Sequence, residues 1–295
     1  MRWGGVKELR RYIKRYQIDI LFSPSSAGLS NGLFASLFTK VKNVGYRGTG
    51  AKVRWTDPTY YLGVLNPRVT HIVCETEAIR DYLARFLPRR KLSVNLKPFE
   101  LDWVKDACAS PKQVGGIPAG AVTCVYVGCC KGRPFKGLST LIRAFHLLPD
   151  ERIHMVFIGD YDQSDYELAQ SGPFAGRIHF AGFCKDASHF LAGQDIFVLP
   201  SLRDASPRVV REAMACGLPC IVSDIVGARD LLIDGVTGLL FPPGSPQALA
   251  TAIQTLADDE ARRKAMGVAG RERIVRDFNS NDYVARFREL FYSLK

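Results

Sequence analysis

The sequence lacks the features that define several special classes of protein. It has no run of about 18 or more apolar residues, and its start, MRWGGVKELRRYIKRY, has no apolar core, which argues against a membrane span and a secretory signal. None of its eight cysteines forms a metal-ligand pair with a matching second pair, and no internal repeat stands out. We therefore expect a cytoplasmic globular protein with reduced cysteines and no metal site.

Acidic residues are scarce in the first third of the chain. Residues 1–100 contain 18 Lys and Arg against 7 Asp and Glu, whereas the remainder contains 22 of each, so the first third carries the whole net charge of +11. Such a surplus favours an anionic partner, which could be nucleic acid, anionic lipid or a phosphorylated acceptor. Because no helix-turn-helix, zinc-finger or aromatic single-strand motif accompanies it, we expect no nucleic acid.

The length of 295 residues suggests two domains. The Pro- and Gly-rich segment Ser110–Ala121 indicates a linker between a domain at 1–109 and a domain at 122–295. Short apolar runs alternate with helical patterns in both domains, which predicts two parallel α/β sheets.

In the first domain we predict strands at Ile18–Phe22, Val41–Tyr46 and His71–Cys74, and helices at Leu33–Thr39 and Glu77–Phe86. In the second we predict strands at Val122–Val127, His154–Ile158, Ile178–Phe180, Ile196–Leu199, Cys220–Ser223 and Gly238–Phe241, with closing helices at Ala248–Leu256, Glu260–Arg276 and Tyr283–Leu294.

The first domain begins in the middle of a βαβ series, so we expect it to be incomplete, with exposed sheet edges that favour dimerisation or poor solubility. Its first helix has Val6, Leu9, Ile13 and Tyr16 at helical spacing and basic residues on the other faces. Packing on a sheet is the first interpretation of this helix, and binding to an anionic membrane surface is the second.

The segment Asp195–Ser223 combines a buried strand, a polar loop, a helix start and a second strand. Ser206 is predicted as the N-cap and Pro207 as the first helical residue. The amides of Arg208 and Val209 would then point outward with the positive end of the helix dipole. Such a helix start, at the carboxyl edge of a parallel sheet, predicts a phosphate site.

Two acids flank this helix start. Asp204 lies in the loop, whereas Glu212 lies one turn into the helix, where a carboxylate can accept two hydrogen bonds from a ribose diol. Glu212 also lies four residues after Arg208, so a surface ion pair is an equally good interpretation.

A second group of candidates follows the first strand of the second domain. Arg133 and Lys136 lie between Gly132 and Gly137, where two cations beside flexible backbone suit a diphosphate. Taken alone, this run is also typical of a solvated loop.

The segment Asp195–Ser223 resembles the donor-site signature of family 4 glycosyltransferases, which reads an acid, seven residues, then Glu-Ala-Met-Ala-x-Gly-x-Pro. Glu212, Ala213, Met214, Ala215, Gly217 and Pro219 match it, and Asp204 replaces the usual first Glu. Lys136 and Gly137, followed by Leu141, Ile142 and Ala144, match the family's pyrophosphate-binding segment. The family's segment also contains an Arg. In this chain it corresponds either to Arg133 or to Lys131, which occupies the position of the Arg in the commoner Gly-Arg form.

The resemblance implies a GT-B fold of two Rossmann-like domains and transfer of a hexosyl or pentosyl group from a nucleoside-diphosphate sugar with retention of configuration. No metal cofactor is implied. Lys136, Arg133 and Asp204 would be catalytic. Ser206, Pro207, Arg208, Val209 and Glu212 would bind the donor, with Gly159 near the base. The acceptor would be a glycan or lipid-linked molecule of the bacterial cell envelope, used at the inner face of the plasma membrane.

The first domain departs from the family at one place. Many members have Asp-x-x-His-x-His at a strand end, but here Asp19 is followed by Phe22 and Pro24 in place of the two histidines. An inactive donor-binding partner subunit therefore stays an alternative. A nucleotide-sugar epimerase ranks last, because the first domain has few acids.

Overall fold

The computed structural model describes residues 3–49 and 53–295. The chain divides into two compact units, one formed by Met1–Pro98 with Ser280–Lys295 and the other by Phe99–Asn279. The strands are β1 Ile20–Ser23, β2 Lys42–Arg47, β3 Val69–Cys74, β4 Leu92–Val94, β5 Val122–Val127, β6 Ile153–Ile158, β7 Ile178–Gly182, β8 Ile196–Leu199, β9 Cys220–Ser223 and β10 Gly238–Phe241. The α-helices are α1 Trp3–Tyr16, α2 Ser26–Ala35, α3 Glu77–Leu83, α4 Lys105–Ala109, α5 Leu138–Phe145, α6 Gln163–Gln170, α7 Ala187–Ala192, α8 Arg208–Ala215, α9 Pro246–Asp258, α10 Glu260–Asp277 and α11 Ser280–Leu294.

The first unit contains a four-stranded parallel sheet in the order β1-β2-β3-β4. Helix α1 buries Val6 and Ile13 against Ala35 of α2, while its basic side chains lie on the remaining faces. The predicted apolar stripe is therefore shorter than the sequence suggested, since Tyr16 is exposed and stacks on Tyr12.

Helix α2 differs most from its prediction, because it begins at Ser26 rather than at Leu33 and ends at Ala35. The hydroxyl of Ser25 accepts a hydrogen bond from the Gly28 amide at 3.1 Å and caps the helix early. Phe38, inside the predicted helix, has a φ of 61°, which a right-handed helix excludes. Strand β4 was not predicted.

The second unit has a six-stranded parallel sheet in the order β10-β9-β8-β5-β6-β7. All residues of β6, β8 and β9 are buried, which explains why their sequences are unbroken apolar runs. The six predicted strands agree with the structure to within two residues. Strand order reverses between β5 and β8, and the loops after these strands mark the switch point where open α/β sheets bind ligands.

The units do not divide where the linker was predicted. Residues 110–121 belong to the second unit, where the Lys112 amide donates to the His189 carbonyl at 2.9 Å. Helix α11 was assigned to the second domain but belongs to the first unit. The Asn95 side chain donates to the Tyr283 carbonyl at 3.1 Å, and Phe22 contacts Phe287 with ring centroids 5.2 Å apart.

Candidate functional site

The loops after β5 and β8 contact each other at the switch point of the second sheet. Gly137 has a φ of 75°, and a Cβ atom there would lie 2.0 Å from the Pro200 carbonyl oxygen, so only glycine fits. The Leu202 amide donates to the Phe135 carbonyl at 2.8 Å, and the Arg203 guanidinium lies 4.4 Å from the Phe135 ring centroid. The two predicted site segments therefore form one surface.

Lys136 and Asp204 meet in this surface. The Lys136 ammonium lies 3.0 Å from Asp204 Oδ2, and both side chains are largely but not fully buried, with 23% and 20% of their surface exposed. The other carboxylate oxygen, Oδ1, accepts a hydrogen bond from the Ser206 amide at 3.3 Å. The predicted cation and the predicted acid are thus a preformed pair at the edge of the sheet.

Helix α8 begins one residue later than predicted. Pro207, with φ −65° and ψ 112°, occupies the N-cap position and Arg208 is the first helical residue. The prediction that Ser206 caps the helix is wrong, because its hydroxyl accepts a hydrogen bond from the Arg211 guanidinium at 2.8 Å instead. The first amides of the helix, from Arg208 and Val209, still lack intrahelical partners by helix geometry and follow Asp204 by four and five residues.

Glu212 forms the ion pair that its spacing allowed. Its Oε1 lies 2.9 Å from Arg208 Nε, with 71% of the Arg208 side chain exposed and 23% of the Glu212 side chain. An exposed pair of this kind adds about 0.5 kcal/mol to helix stability, which a bound ligand can replace. The ribose-binding role of Glu212 stays a prediction.

The remaining cations of the loop after β5 are exposed. Lys131 and Arg133 both extend into solvent, and the structure does not favour one of them over the other. The backbone between β5 and α5 is fixed by acids of the next loop: the Lys131 amide donates to Asp160 at 3.2 Å, and the Gly132 amide donates to Asp162 at 3.0 Å.

Gly159, predicted near the base, has a clear structural function. Its φ is 144°, and a Cβ atom there would lie 1.9 Å from the Gly128 carbonyl oxygen. Its amide donates to the Gly182 carbonyl at 2.9 Å. Gly159 therefore joins the loops after β5, β6 and β7, and its contact with a base stays a prediction.

Burial controls the chemistry of the groups beneath the loop. The Tyr126 hydroxyl lies 3.2 Å from Cys130 Sγ and 3.4 Å from the Lys136 carbonyl oxygen. Burial raises the pKa of Tyr126 well above its usual value and raises the pKa of Cys130 to about 11. Both groups are therefore neutral at physiological pH and support the loop without adding charge.

Sequence reasoning missed Arg211, which is buried in α8 with 3% of its surface exposed. It also missed the aromatic cluster of Tyr161, Tyr166 and Phe180, in which the Tyr161 and Phe180 ring centroids are 4.5 Å apart. Arg211 is buried in α8 together with Val210, Ala213, Met214 and Ala215, and a charge next to these apolar residues was the one available signal.

The first unit presents a different arrangement. Arg47, which ends β2, is buried and donates from Nε to the Thr49 carbonyl at 3.2 Å. His71 is also buried, with Nε2 2.9 Å from Ser93 Oγ. In the part of the chain that the structure describes, no three His, Cys, Asp or Glu side chains lie close enough to hold a metal ion. None of the described helices is both long and apolar enough to cross a membrane.

The fold and this site define a class: two parallel-sheet α/β units of the GT-B type, with cations and a helix start at the switch point of the second sheet. Residues 112–273 match the family model described as "Glycosyl transferases group 1", and the chain belongs to this family.

The relatives agree with this assignment. The lipopolysaccharide core biosynthesis glycosyltransferase LpsE of Rhizobium meliloti is 30% identical over 160 residues, covering 54% of this chain and 46% of LpsE. The capsular polysaccharide biosynthesis glycosyltransferase CapM of Staphylococcus aureus is 29% identical over 153 residues, covering 49% and 40%. The chain thus spans about half the length of the curated relatives it matches.

The fold is also similar to that of a solved structure. The crystal structure of Anabaena Alr3699/HepE in complex with UDP has a TM-score of 0.86 at 19% identity, covering 98% of this chain and 82% of that one. The predicted GT-B fold is confirmed.

Proposed function

We propose that this protein transfers a sugar from a nucleoside-diphosphate sugar to an acceptor hydroxyl with retention of configuration. The observation that carries the proposal is the Lys136–Asp204 pair, 3.0 Å apart, in front of the first turn of α8 and inside the family region at 112–273. A cation, a carboxylate and free helix amides at one sheet edge suit a sugar that carries a diphosphate leaving group.

The charged residues of the site have different roles in this proposal. When the bond from the anomeric carbon to the phosphate oxygen breaks, the electron pair leaves with the nucleoside diphosphate. The acceptor oxygen bonds to the anomeric carbon, and its hydroxyl proton passes to a phosphate oxygen of the leaving group. Lys136, with Arg133 or Lys131, neutralises that charge, and the Arg208 and Val209 amides add the helix dipole. Asp204 contacts the sugar hydroxyls. This scheme needs no metal ion.

Glu212 binds the ribose in this proposal. Its carboxylate must then exchange its pairing with Arg208 for the ribose diol, and the exposed guanidinium is free to move toward the phosphates. Glu212 would accept charge-assisted hydrogen bonds from the diol, which are stronger than neutral ones.

The process we propose is synthesis of a bacterial cell-envelope polysaccharide or glycolipid, with a hexosyl or pentosyl donor. Support comes from the names of the relatives, which concern lipopolysaccharide core and capsular polysaccharide. The UDP bound in the HepE structure makes uridine nucleotides the first donors to test.

We further propose that the first unit binds the anionic inner face of the plasma membrane. Helix α1 packs through Val6 and Ile13, which leaves its basic residues and the exposed Tyr12–Tyr16 pair available to a surface. A basic helix face with interfacial aromatics is typical of peripheral binding.

Thermal shift with uridine, adenosine and guanosine diphosphates and their sugars tests the donor site. A nucleotide sugar that raises Tm should also be turned over, with release of the nucleoside diphosphate. Failure of every nucleotide to bind would refute the proposal. Binding without any turnover, over a panel of glycan and lipid-linked acceptors, would favour the inactive partner subunit, which the missing histidines at Phe22 and Pro24 support.

A further inference from the structure

Arg211 is a buried cation directly behind the proposed donor site. It lies in the first turns of α8, between the buried apolar residues Val210 and Ala213, and only 3% of its surface is exposed. Its guanidinium reaches back past the helix start and donates from Nη1 to the Ser206 hydroxyl at 2.8 Å. Arg211 is thus anchored to the loop and not to solvent.

Hydrogen bonds continue from this contact to the catalytic pair. The Ser206 amide donates to Asp204 Oδ1 at 3.3 Å, and Lys136 lies 3.0 Å from Asp204 Oδ2. Arg211 and Lys136 are therefore linked through one residue of the loop and one carboxylate. The loop is also confined from the side of Gly227, where a Cβ atom would lie 2.3 Å from the Ala205 carbonyl oxygen.

Burial of a guanidinium is unfavourable unless its hydrogen bonds are made, and an apolar side chain of similar size often packs as stably. Stability alone therefore gives little reason for an arginine at this position. An arginine can do what an apolar side chain cannot, because its charge-assisted hydrogen bond holds the Ser206 hydroxyl, and with it the loop before α8, in one position.

We infer that Arg211 is a positioning residue of the donor site. Through the Ser206 hydroxyl it fixes the loop that carries Asp204, and so sets the geometry in which Asp204 and Lys136 meet the sugar phosphate. The role rests on the proposed function, and it predicts that the Ser206 side chain is needed for its hydroxyl and not as a helix cap.

The test uses the full chain and three variants: Ser206→Ala, Arg211→Gln and the double variant. Isothermal titration with UDP and UDP-glucose, or with whichever of the uridine, adenosine and guanosine pairs binds the wild type, gives the affinities. Removal of a charge-assisted hydrogen bond should lower kcat and the nucleotide-sugar affinity roughly tenfold, with a smaller change for the free diphosphate. The two changes should not add in the double variant, because they break the same contact.

Two further variants separate positioning from packing. Arg211→Lys retains a buried cation and should recover part of the lost kcat. Arg271→Gln removes another arginine tied to α8, at its opposite end, where Arg271 donates to the Ala215 carbonyl at 2.8 Å. This control should change Tm but leave kcat and affinity near those of the wild type.

The outcomes are distinguishable. If the wild type binds nucleotide and Ser206→Ala has the same kcat and affinity as the wild type, the role of Arg211 is overturned, whereas the donor-site assignment is not affected. Additive effects in the double variant would also overturn it. Absence of any nucleotide binding by the wild type would refute the proposed function itself. If Arg211→Gln does not fold, Ser206→Ala still decides, since it alters only a partly exposed loop side chain.

Discussion

Replacement of Lys136 by alanine tests whether the Lys136–Asp204 pair contributes more to kcat than to the stability of the fold. The change removes the ammonium that lies 3.0 Å from Asp204 Oδ2 and leaves the carboxylate with the Ser206 amide as its remaining partner at 3.3 Å. The Gly137 turn and the contact of Leu202 with Phe135 stay intact, since both are made by backbone atoms.

The stability effect should be small. Two unit charges 3.0 Å apart attract by at most about 5 to 6 kcal/mol at an effective dielectric constant of about 20, before desolvation and side-chain entropy are subtracted. With roughly a fifth of each side chain exposed, water screens the pair, and a net value of about 1 kcal/mol is reasonable. A change of that size lowers Tm by about 2 °C in a chain of this length.

The catalytic effect should be larger. Loss of a preorganised contact to a developing oxyanion costs about 3 kcal/mol, which is roughly a 100-fold fall in kcat. The assay compares release of nucleoside diphosphate with Tm from thermal denaturation. Lys264→Ala is the matched control, because it also removes a lysine paired with an acid, Glu260, but on the exposed surface of α10.

An unchanged kcat for Lys136→Ala would refute the assignment of the cation to the leaving group. A fall in Tm of more than about 10 °C would refute the argument in another way, because the pair would then be a main support of the fold. Arg133→Ala and Lys131→Ala, measured alongside, decide which of these exposed cations assists Lys136.

Three other predictions follow from the same contacts. Glu212→Gln should weaken binding of the free nucleoside diphosphate more than Asp204→Asn does, whereas Asp204→Asn should lower kcat more. If titration calorimetry shows the reverse order of affinities, the roles of the two acids must be exchanged. Burial lowers the pKa of His154 and of His179, whose ring nitrogens lie 3.0 Å apart, below the ordinary value of 6.5. The unfolded chain therefore binds more protons, so stability should fall as pH drops below about 6.5, and His179→Gln should flatten that fall in urea titrations at pH 7 to 5. Vesicles with anionic lipid should sediment the protein in low salt and release it in high salt, and equal binding to neutral vesicles would contradict the basic-surface proposal.

The second unit could be predicted well from its sequence, because its strands are buried on both faces. A run such as Ile196–Leu199 has no other stable location than the inside of a parallel sheet, and its order along the chain fixes which loops reach the carboxyl edge. Lys136 and Asp204 were both identified, but their pairing was not, because it joins residues 68 positions apart across the switch point.

The first unit was less predictable for a physical reason. The start of α2 is set by the Ser25 cap rather than by an apolar period, so its apolar residues did not show where it begins. Helix α11 follows the second unit in sequence, yet it packs on the first through Phe287 and Tyr283, and no local pattern states which of two cores a terminal helix will cover.

Arg211 was missed because its partner lies before the helix in the chain, and its role depends on which way a buried side chain turns. Periodicity places the residue on the inner face of α8 but cannot say that its guanidinium returns to the loop. The predicted start of α8 was one residue too early for the same reason, since the Ser206 hydroxyl that was expected to cap the helix accepts a hydrogen bond from Arg211.

The exposure of the Lys136–Asp204 pair bears directly on how the site could work. A fully buried pair would hold its lysine too firmly for a diphosphate to compete, and a fully exposed lysine would have no fixed position before the donor arrives. With about a fifth of each side chain in water, Asp204 can keep the ammonium oriented and still exchange it for phosphate oxygens at low cost. Asp204 would then be released toward the sugar hydroxyls at the moment when Lys136 turns to the diphosphate, so that one ion-pair exchange brings both groups onto the donor.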